Sequence, residues 1–391
     1  MFTEGNTVSL LRNGDEYFPA LVQAMDSARV SIYLETYIFA DDASGQRVAD
    51  ALIGAALRGV DVRVVVDSFG TRPYLSQALA AKLTVGGVRL VLYREDAFSM
   101  PWNRARLRRL HRKLAMVDAR IAFVGGINVI DDHNAPGQTP PRVDFAVRVE
   151  GPILVPIAAA ANRLWRLLRV LMIGEASLPT SPILPIAPTL SQSAALGTVK
   201  AKLVLRDNLR FRRQIENAYL AALRVARTEV VIANAYFLPG IRFRRALIAA
   251  AGRGVQVTLI LQSRVEIRLL RHATKALYGQ LLAGGVRIVE YERSFLHAKV
   301  CVVDGWWATV GSSNIDPFSL LLAREANVVV NDRAFAQTLR DELSRLEATG
   351  GRVVDRDVWS RRGRTARVID WLAYGLVRGM TGLIGVRAER W

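Results

Sequence analysis

His111, Lys113 and Asp118 return later in the chain as His297, Lys299 and Asp304, each time as His-x-Lys, four residues, then Asp. The copies are separated by 186 residues (297 − 111, 299 − 113, 304 − 118), and Asn128 and Asn314 keep that offset, as do Gly125 and Gly311. A neutral imidazole is a nucleophile and a protonated one an acid, and an ordinary pKa of about 6.5 makes both forms accessible near neutrality. Two histidines facing one phosphodiester can divide a displacement at phosphorus. One attacks and becomes a phospho-histidine; the other protonates the leaving oxygen and then activates the incoming water or alcohol. Lys113, Lys299 and the carboxamides of Asn128 and Asn314 are donors suited to the charge that gathers on the non-bridging oxygens. Ser312 is a further candidate for lining the phosphate. It is not a candidate nucleophile, because the first copy has Gly126 there. The candidate catalytic set is therefore His111, Lys113, Asp118, His297, Lys299 and Asp304, with Asn128, Asn314 and Ser312 on the phosphate. The scheme needs no metal and no cofactor, and the sequence sets out no His/Cys/carboxylate cluster at metal-binding spacing.

Each imidazole also needs a carboxylate on its other ring nitrogen. Asp144 and Glu325 are the candidates, following the two histidines by 33 and 28 residues (144 − 111, 325 − 297) and each opening an apolar run. Within the motif, Asp118 and Asp304 fall between two short apolar runs, and Asp304-Gly305 is a hairpin signature. A structural role follows for these two acids. Gly125, Gly126 and Gly311 would let backbone approach a ligand closely.

The elements that must position these groups are also repeated. ALIGAALRGVDVRVVVD (51–67) echoes ALIAAAGRGVQVTLILQ (246–262), and Gly86-Gly87-Val88-Arg89 echoes Gly284-Gly285-Val286-Arg287. Helical periods alternate with short β-branched runs, the pattern of an α/β layer structure. Strands are expected near 29–34, 62–67, 88–92, 114–118, 121–124 and 144–149, and again near 229–234, 256–261, 286–290, 299–303, 307–310 and 326–330. The expected fold is two similar α-β-α sandwich domains in tandem, related by a pseudo-twofold axis, with a single active site at their interface. The boundaries are 1–177 for the first domain, 178–198 for a linker holding Pro179, Pro182, Pro185 and Pro188, 199–350 for the second, and 351–391 for a basic, apolar C-terminal segment that interacts with membrane.

Composition narrows the partners. Hydrophobic residues are 51% and charged ones 23%, which is globular, and the formal charge of +18 favours polyanions. Cys301 is the only cysteine and reads as a buried strand thiol. The N-terminus lacks signal-peptide features, and no apolar run reaches the ~20 residues of a spanning helix. The segment 366–386 suits either an amphipathic helix lying in a membrane interface or a helix packed on its own domain. Asn162–Ile173 reads as a crossover helix, and His133 and His272 as ordinary partly exposed histidines.

At these residues the chain resembles the phospholipase D superfamily. LHRKLAMVDARIAFVGGINVIDDH (110–133), Gly151-Pro152, Trp165 and Asn234-Ala235-Tyr236-Phe237-Leu238-Pro239 look like bacterial cardiolipin synthases, in the branch without N-terminal transmembrane helices. The resemblance implies transfer of a phosphatidyl group from phosphatidylglycerol to a second lipid alcohol, with His111 as nucleophile and His297 as acid and base. It implies anionic phospholipids (phosphatidylglycerol, cardiolipin) as partners and a peripheral place on the cytoplasmic face of the membrane. Arg104, Arg106, Arg108 and Arg109, with Arg242, Arg244 and Arg245, are expected to line the entrance and hold headgroup phosphates. A hydrolase of the same fold, acting on lipid or nucleic acid, is the competing reading, and a silent anion-binding protein a third. Nucleic acid is disfavoured because aromatics are only 8% and form no stacking array. Transfer against hydrolysis turns on water access to the intermediate, which sequence leaves open, as it does the oligomeric state.

Overall fold

Runs such as Val62-Arg63-Val64-Val65-Val66 and Val300-Cys301-Val302-Val303 form strands because branched side chains suit a pleated surface covered on both faces. The computed structural model describes residues 1–94, 108–171, 196–207, 211–264, 267–316 and 323–383. The proline-bearing stretch 178–195 of the expected linker, and Arg104 and Arg106, lie outside the described residues.

The first half supplies β1 (Thr3–Arg12), β2 (Ser31–Thr36), β3 (Asp61–Asp67), β4 (Arg89–Tyr93), β5 (Arg109–Leu110), β6 (Lys113–Val117), β7 (Ile121–Gly125), β8 (Arg142–Val143) and β9 (Phe145–Glu150). The second supplies β10 (Val199–Arg206), β11 (Glu229–Asn234), β12 (Gln256–Gln262), β13 (Arg287–Tyr291), β14 (Phe295–Leu296), β15 (Lys299–Val303), β16 (Trp307–Gly311), β17 (Ala323–Asn331) and β18 (Gly351–Val353). Read outward from the β1–β10 seam, one side runs β1, β9, β7, β6, β2, β3, β4 and the other β10, β17, β16, β15, β11, β12, β13, with β18 added at that edge. The first seven strands of each side correspond one for one, so the repeat in sequence is a pseudo-twofold repeat in space. The seam strands were not among the expected ones, and they fuse the two sheets into one.

Helices cover both faces, as α-β-α layering requires. Asn13–Asp26, Ala43–Leu57 and Gln77–Val85 close one apolar cluster with β2 and β3, and Gln214–Val225, Ile241–Gly252 and Arg268–Ala283 close its counterpart with β11 and β12. On the opposite face Leu154–Leu171 and Arg333–Gly350 share a third cluster. That cluster joins Trp165 and Val147 of the first half to Leu203, Val328 and Leu339 of the second. The halves are thus bound by a common core as well as by the seam. Cys301 lies buried as a strand thiol in the second half's own cluster, its pKa pushed up by burial.

The C-terminal helix Arg364–Leu383 packs on helix Arg268–Ala283 and buries Asp370, Ala373, Tyr374 and Val377. Its other face exposes Val368, Ile369, Trp371, Leu372, Leu376 and Met380. The packed-helix alternative read from the sequence describes the inner face of this helix.

Candidate active site

Two hairpins carry the motif. Asp118 and Ala119, like Asp304 and Gly305, have φ between 50° and 64°, the two-residue turn geometry that matches strand twist. Asp118 accepts hydrogen bonds from the backbone N–H groups of Arg29, Val30 and Ser31 at 2.8–2.9 Å. Asp304 accepts from those of Arg227, Thr228 and Glu229 at 2.8–3.0 Å. Burial opposes ionisation of Asp304, but these donors hold its pKa below the ordinary value. Both acids sit at the far ends of β6 and β15, some five extended residues or about 16 Å from the motif lysines. They fix the hairpins and take no place at the histidines. These contacts support the structural role read from the turns.

The near ends of the hairpins meet across the halves. β5 pairs in parallel with β17 (Arg109↔Ala323, Leu110↔Arg324), and β14 with β8 (Phe295↔Arg142, Leu296↔Val143). The next backbone bond of each ladder comes from a histidine: His111 N–H donates to Arg324 O at 3.1 Å, and His297 N–H to Val143 O at 2.8 Å. One residue on from each acceptor stands an orienting carboxylate. Glu325 lies 3.0 and 3.1 Å from His111 Nδ1, and Asp144 Oδ2 2.6 Å from His297 Nδ1. Each histidine is held by the carboxylate of the other half. The two acids are equivalent positions, since Gly125↔Ala146 and Gly311↔Asn327 are matching rungs of the two ladders.

Other side chains fix this arrangement. Asp67 Oδ2 accepts from Leu110 N–H at 2.7 Å, and Gln262 Oε1 from Leu296 N–H at 2.8 Å. These residues end the two matched segments 51–67 and 246–262, and they clamp the residue before each histidine. Lys113 Nζ donates to His111 O at 2.7 Å, and Lys299 Nζ to His297 O while lying 3.4 Å from Asp144. Tyr37 packs edge-on against His111 at 4.9 Å and lies 5.3 Å from the Lys113 ammonium. Sequence reasoning missed Tyr37; Gly70, where a Cβ would stand 2.5 Å from its ring, makes room for it. Phe295 lies 5.6 Å from His297.

Asn128 and Asn314 are buried. Asn128 Oδ1 accepts from Ile38 N–H at 3.2 Å, which fixes the carboxamide. Ser312 departs from expectation. It is fully buried, and its hydroxyl donates to Glu325 and accepts from Ala326 N–H at 3.1 Å. It braces the carboxylate behind His111. The glycines depart as well. A Cβ on Gly126 would stand 2.2 Å from Asp144 Oδ1, and one on Gly125 2.4 Å from Ala146 Cα. They admit the neighbouring strand and the carboxylate. Of the basic residues expected at the entrance, Arg109 approaches Asp67 at 3.7 Å. Arg242 and Arg245 border a groove with Arg224 and Arg253 between two helices. Arg244 turns inward to Gln280 and Tyr374.

Electrostatically the site is a buried cluster of two imidazoles, two lysines and two carboxylates. Burial pushes both histidines down, against the pull of Glu325 on His111; for His297, Lys299 pushes further down and Asp144 opposes. Burial brings Lys113 down to about 7 and Lys299 down to about 8, each opposed by Glu325 and Asp144. Lys113 is further lowered by the charge of Lys299, so the two ammonium groups share one neighbourhood. With Nδ1 of each imidazole turned to a carboxylate, Nε2 is left for chemistry.

The family profile described as "Cardiolipin synthase, PLD-like domain" matches residues 21–135 and 219–347. Cardiolipin synthase B of Escherichia coli (strain K12) is 40% identical over 98% of this chain and 90% of its own length. Cardiolipin synthase A of Salmonella arizonae is 30% identical over 95% of this chain and 75% of its own. Among solved structures, phosphatidylserine synthase of Haemophilus influenzae Rd KW20 superposes with a TM-score of 0.66 at 12% identity, over 96% of this chain and 94% of that one. At that identity the likeness speaks for the fold alone. With both halves and nearly the full length matched, the chain belongs to the cardiolipin synthase family of the phospholipase D superfamily and is an enzyme of its phosphatidyltransferase class.

Proposed function

We propose that the protein transfers a phosphatidyl group from phosphatidylglycerol to the hydroxyl of a second lipid through a phospho-histidine, with His111 as nucleophile and His297 as acid and base. The observation that carries this reading is the crossed pairing of His111 with Glu325 and His297 with Asp144. A carboxylate on Nδ1 fixes the tautomer and supports the imidazolium as it forms. In the first step His111 Nε2 attacks phosphorus, the P–O bond to glycerol breaks, and His297 donates its Nε2 proton to the departing oxygen. In the second step His297 takes the proton of the acceptor hydroxyl, whose oxygen attacks phosphorus as the P–N bond breaks. Lys113, Lys299, Asn128 and Asn314 hold the non-bridging oxygens. The assignment of nucleophile follows the order that the family resemblance implies.

The lipid is reached from the membrane surface, on its cytoplasmic face. No helix of the described residues is long and apolar enough to cross a membrane. The exposed apolar face of helix Arg364–Leu383 suits peripheral binding, and basic residues near an anionic leaflet contribute about 1 kcal/mol each. Purified protein incubated with phosphatidylglycerol vesicles, with and without phosphatidylethanolamine, should yield cardiolipin and glycerol. Phosphatidic acid as the sole product would refute transfer and make the enzyme a hydrolase.

A further inference from the structure

Beside the exposed face of the C-terminal helix lies a cavity of about 150 Å³, lined by Lys275, Gly279, Trp359, Arg362, Arg367 and Trp371, with Asp370 at its base. The carboxylate of Asp370 is buried and fully engaged: His272 Nδ1 lies 2.8 Å from one oxygen, and Arg362 Nη1 donates to the other at 2.8 Å. Arg362 also lies over the Trp359 ring at 4.1 Å, so its guanidinium is fixed. Arg367 donates to the neutral carbonyl of Ser360. Lys275 has neither a hydrogen bond nor an ion pair among the described residues; burial lowers its pKa, the charges of Glu290 and Asp370 oppose that, and those of Arg271 and Arg362 add to it. With Arg362 matched to Asp370, Lys275 and Arg367 have no carboxylate in direct contact among the described residues, in a cup too small for a polymer. An oxyanion is the group that answers such a cup.

The surroundings decide the source of that oxyanion. Trp371 is 57% exposed and Leu372 69% exposed, and Val368, Leu376 and Met380 continue the same apolar face. Arg361 and Arg364 are exposed beside them. An indole at the border between an apolar face and a row of cations is the arrangement that seats at a headgroup layer. We propose that the cup formed by Lys275, Arg362 and Arg367 binds the phosphate of an anionic phospholipid in the bilayer, while the helix face beside it lies among the acyl chains. This phosphate site is separate from the two histidines, and its use rests on the membrane-surface reading given above.

The test is sedimentation of the full chain with vesicles of phosphatidylcholine alone, or with a quarter phosphatidylglycerol, at fixed ionic strength. The paired variant Lys275→Ala/Arg367→Ala should lose affinity for the anionic vesicles by roughly thirtyfold, from about 1 kcal/mol per charge. Its residual binding to phosphatidylcholine should match wild type. A control pair of exposed arginines elsewhere, Arg47→Ala/Arg120→Ala, should lose far less. Equal losses in the two pairs would mean that only the overall charge matters, and would overturn the proposal. So would displacement of the protein from vesicles by inorganic phosphate at the same concentration as the lipid phosphate, which would make the cup a free-anion site. Lipid with brominated chains should quench indole fluorescence in wild type, with the quenching reduced in Trp371→Phe; an unchanged quench would place the helix face outside the bilayer. Cardiolipin formation from phosphatidylglycerol in detergent micelles reports on the histidine chemistry separately, so failure of one reading leaves the other readable.

Discussion

The depressed lysines make anion binding a proton-linked event with a computable slope. At about pH 8, Lys113 (about 7) is nine-tenths neutral and Lys299 (about 8) half neutral. An oxyanion that needs both ammonium groups must then draw in roughly 1.4 protons from solution. Both groups are protonated below their pKa values, so affinity rises as pH falls. At about pH 9 roughly one Lys113 in a hundred and one Lys299 in ten carry charge; at about pH 6 nearly all do, and affinity between these limits should change by roughly a thousandfold. Sulfate is a suitable probe, because it remains a dianion throughout. Calorimetric titration at several pH values gives the affinity, and repetition in buffers of different ionisation enthalpy gives the proton count. Lys113→Met should leave only the Lys299 proton, cutting the change across this range to roughly tenfold. Affinity that is level across this range, or that rises with pH, would refute the placement of two proton-poor lysines around one anion.

Four further outcomes follow from the geometry. Glu325→Gln leaves His111 without the acceptor that fixes its tautomer, and should lower turnover by about 10³–10⁴-fold with the fold intact; a loss under tenfold in a steady-state lipid assay would contradict the crossed pairing. Gly126→Ala drives a methyl group against Asp144 and should cost about 10²-fold in turnover through displacement of His297, while near-wild-type turnover would show that the carboxylate can move without consequence. Asp118→Ala removes three backbone bonds to a carboxylate and should lower stability by about 2–3 kcal/mol in denaturant melts, leaving turnover per folded molecule unchanged. Because Asp304 is held below its ordinary pKa, its contribution is complete above that value and fades as pH falls through the lowered one; Asp304→Asn should therefore show a shallower acid loss than wild type.

Much of this architecture is legible in the chain because the repeat makes each half a check on the other. Both hairpins, both carboxylates and the pairing of strand ends at Asp67 and Gln262 lie at matched positions. The crossing of the carboxylates is not legible, because it depends on β5–β17 and β8–β14, ladders of two residues whose partners are far apart in sequence. The seam was passed over for a different reason. Thr3–Arg12 carries polar residues at half-buried positions, and Val199–Arg206 begins at the edge of the proline-bearing stretch, so neither gives the clean run of the central strands. Ser312 and Gly126 were assigned to a ligand because small residues beside a phosphate motif invite that reading. Their neighbours are Glu325 and Asp144, which only the fold brings near.

The claim that two imidazoles act on one phosphorus is tested most directly by trapping the intermediate. Rapid acid-free quenching of the enzyme with labelled phosphatidylglycerol, followed by peptide mapping, should place a phosphatidyl adduct on His111 in wild type and none in His111→Ala. Turnover should be abolished in both His111→Ala and His297→Ala. Label on His297 would reverse the assigned order; turnover with no adduct on either histidine, or substantial activity in either variant, would contradict the account.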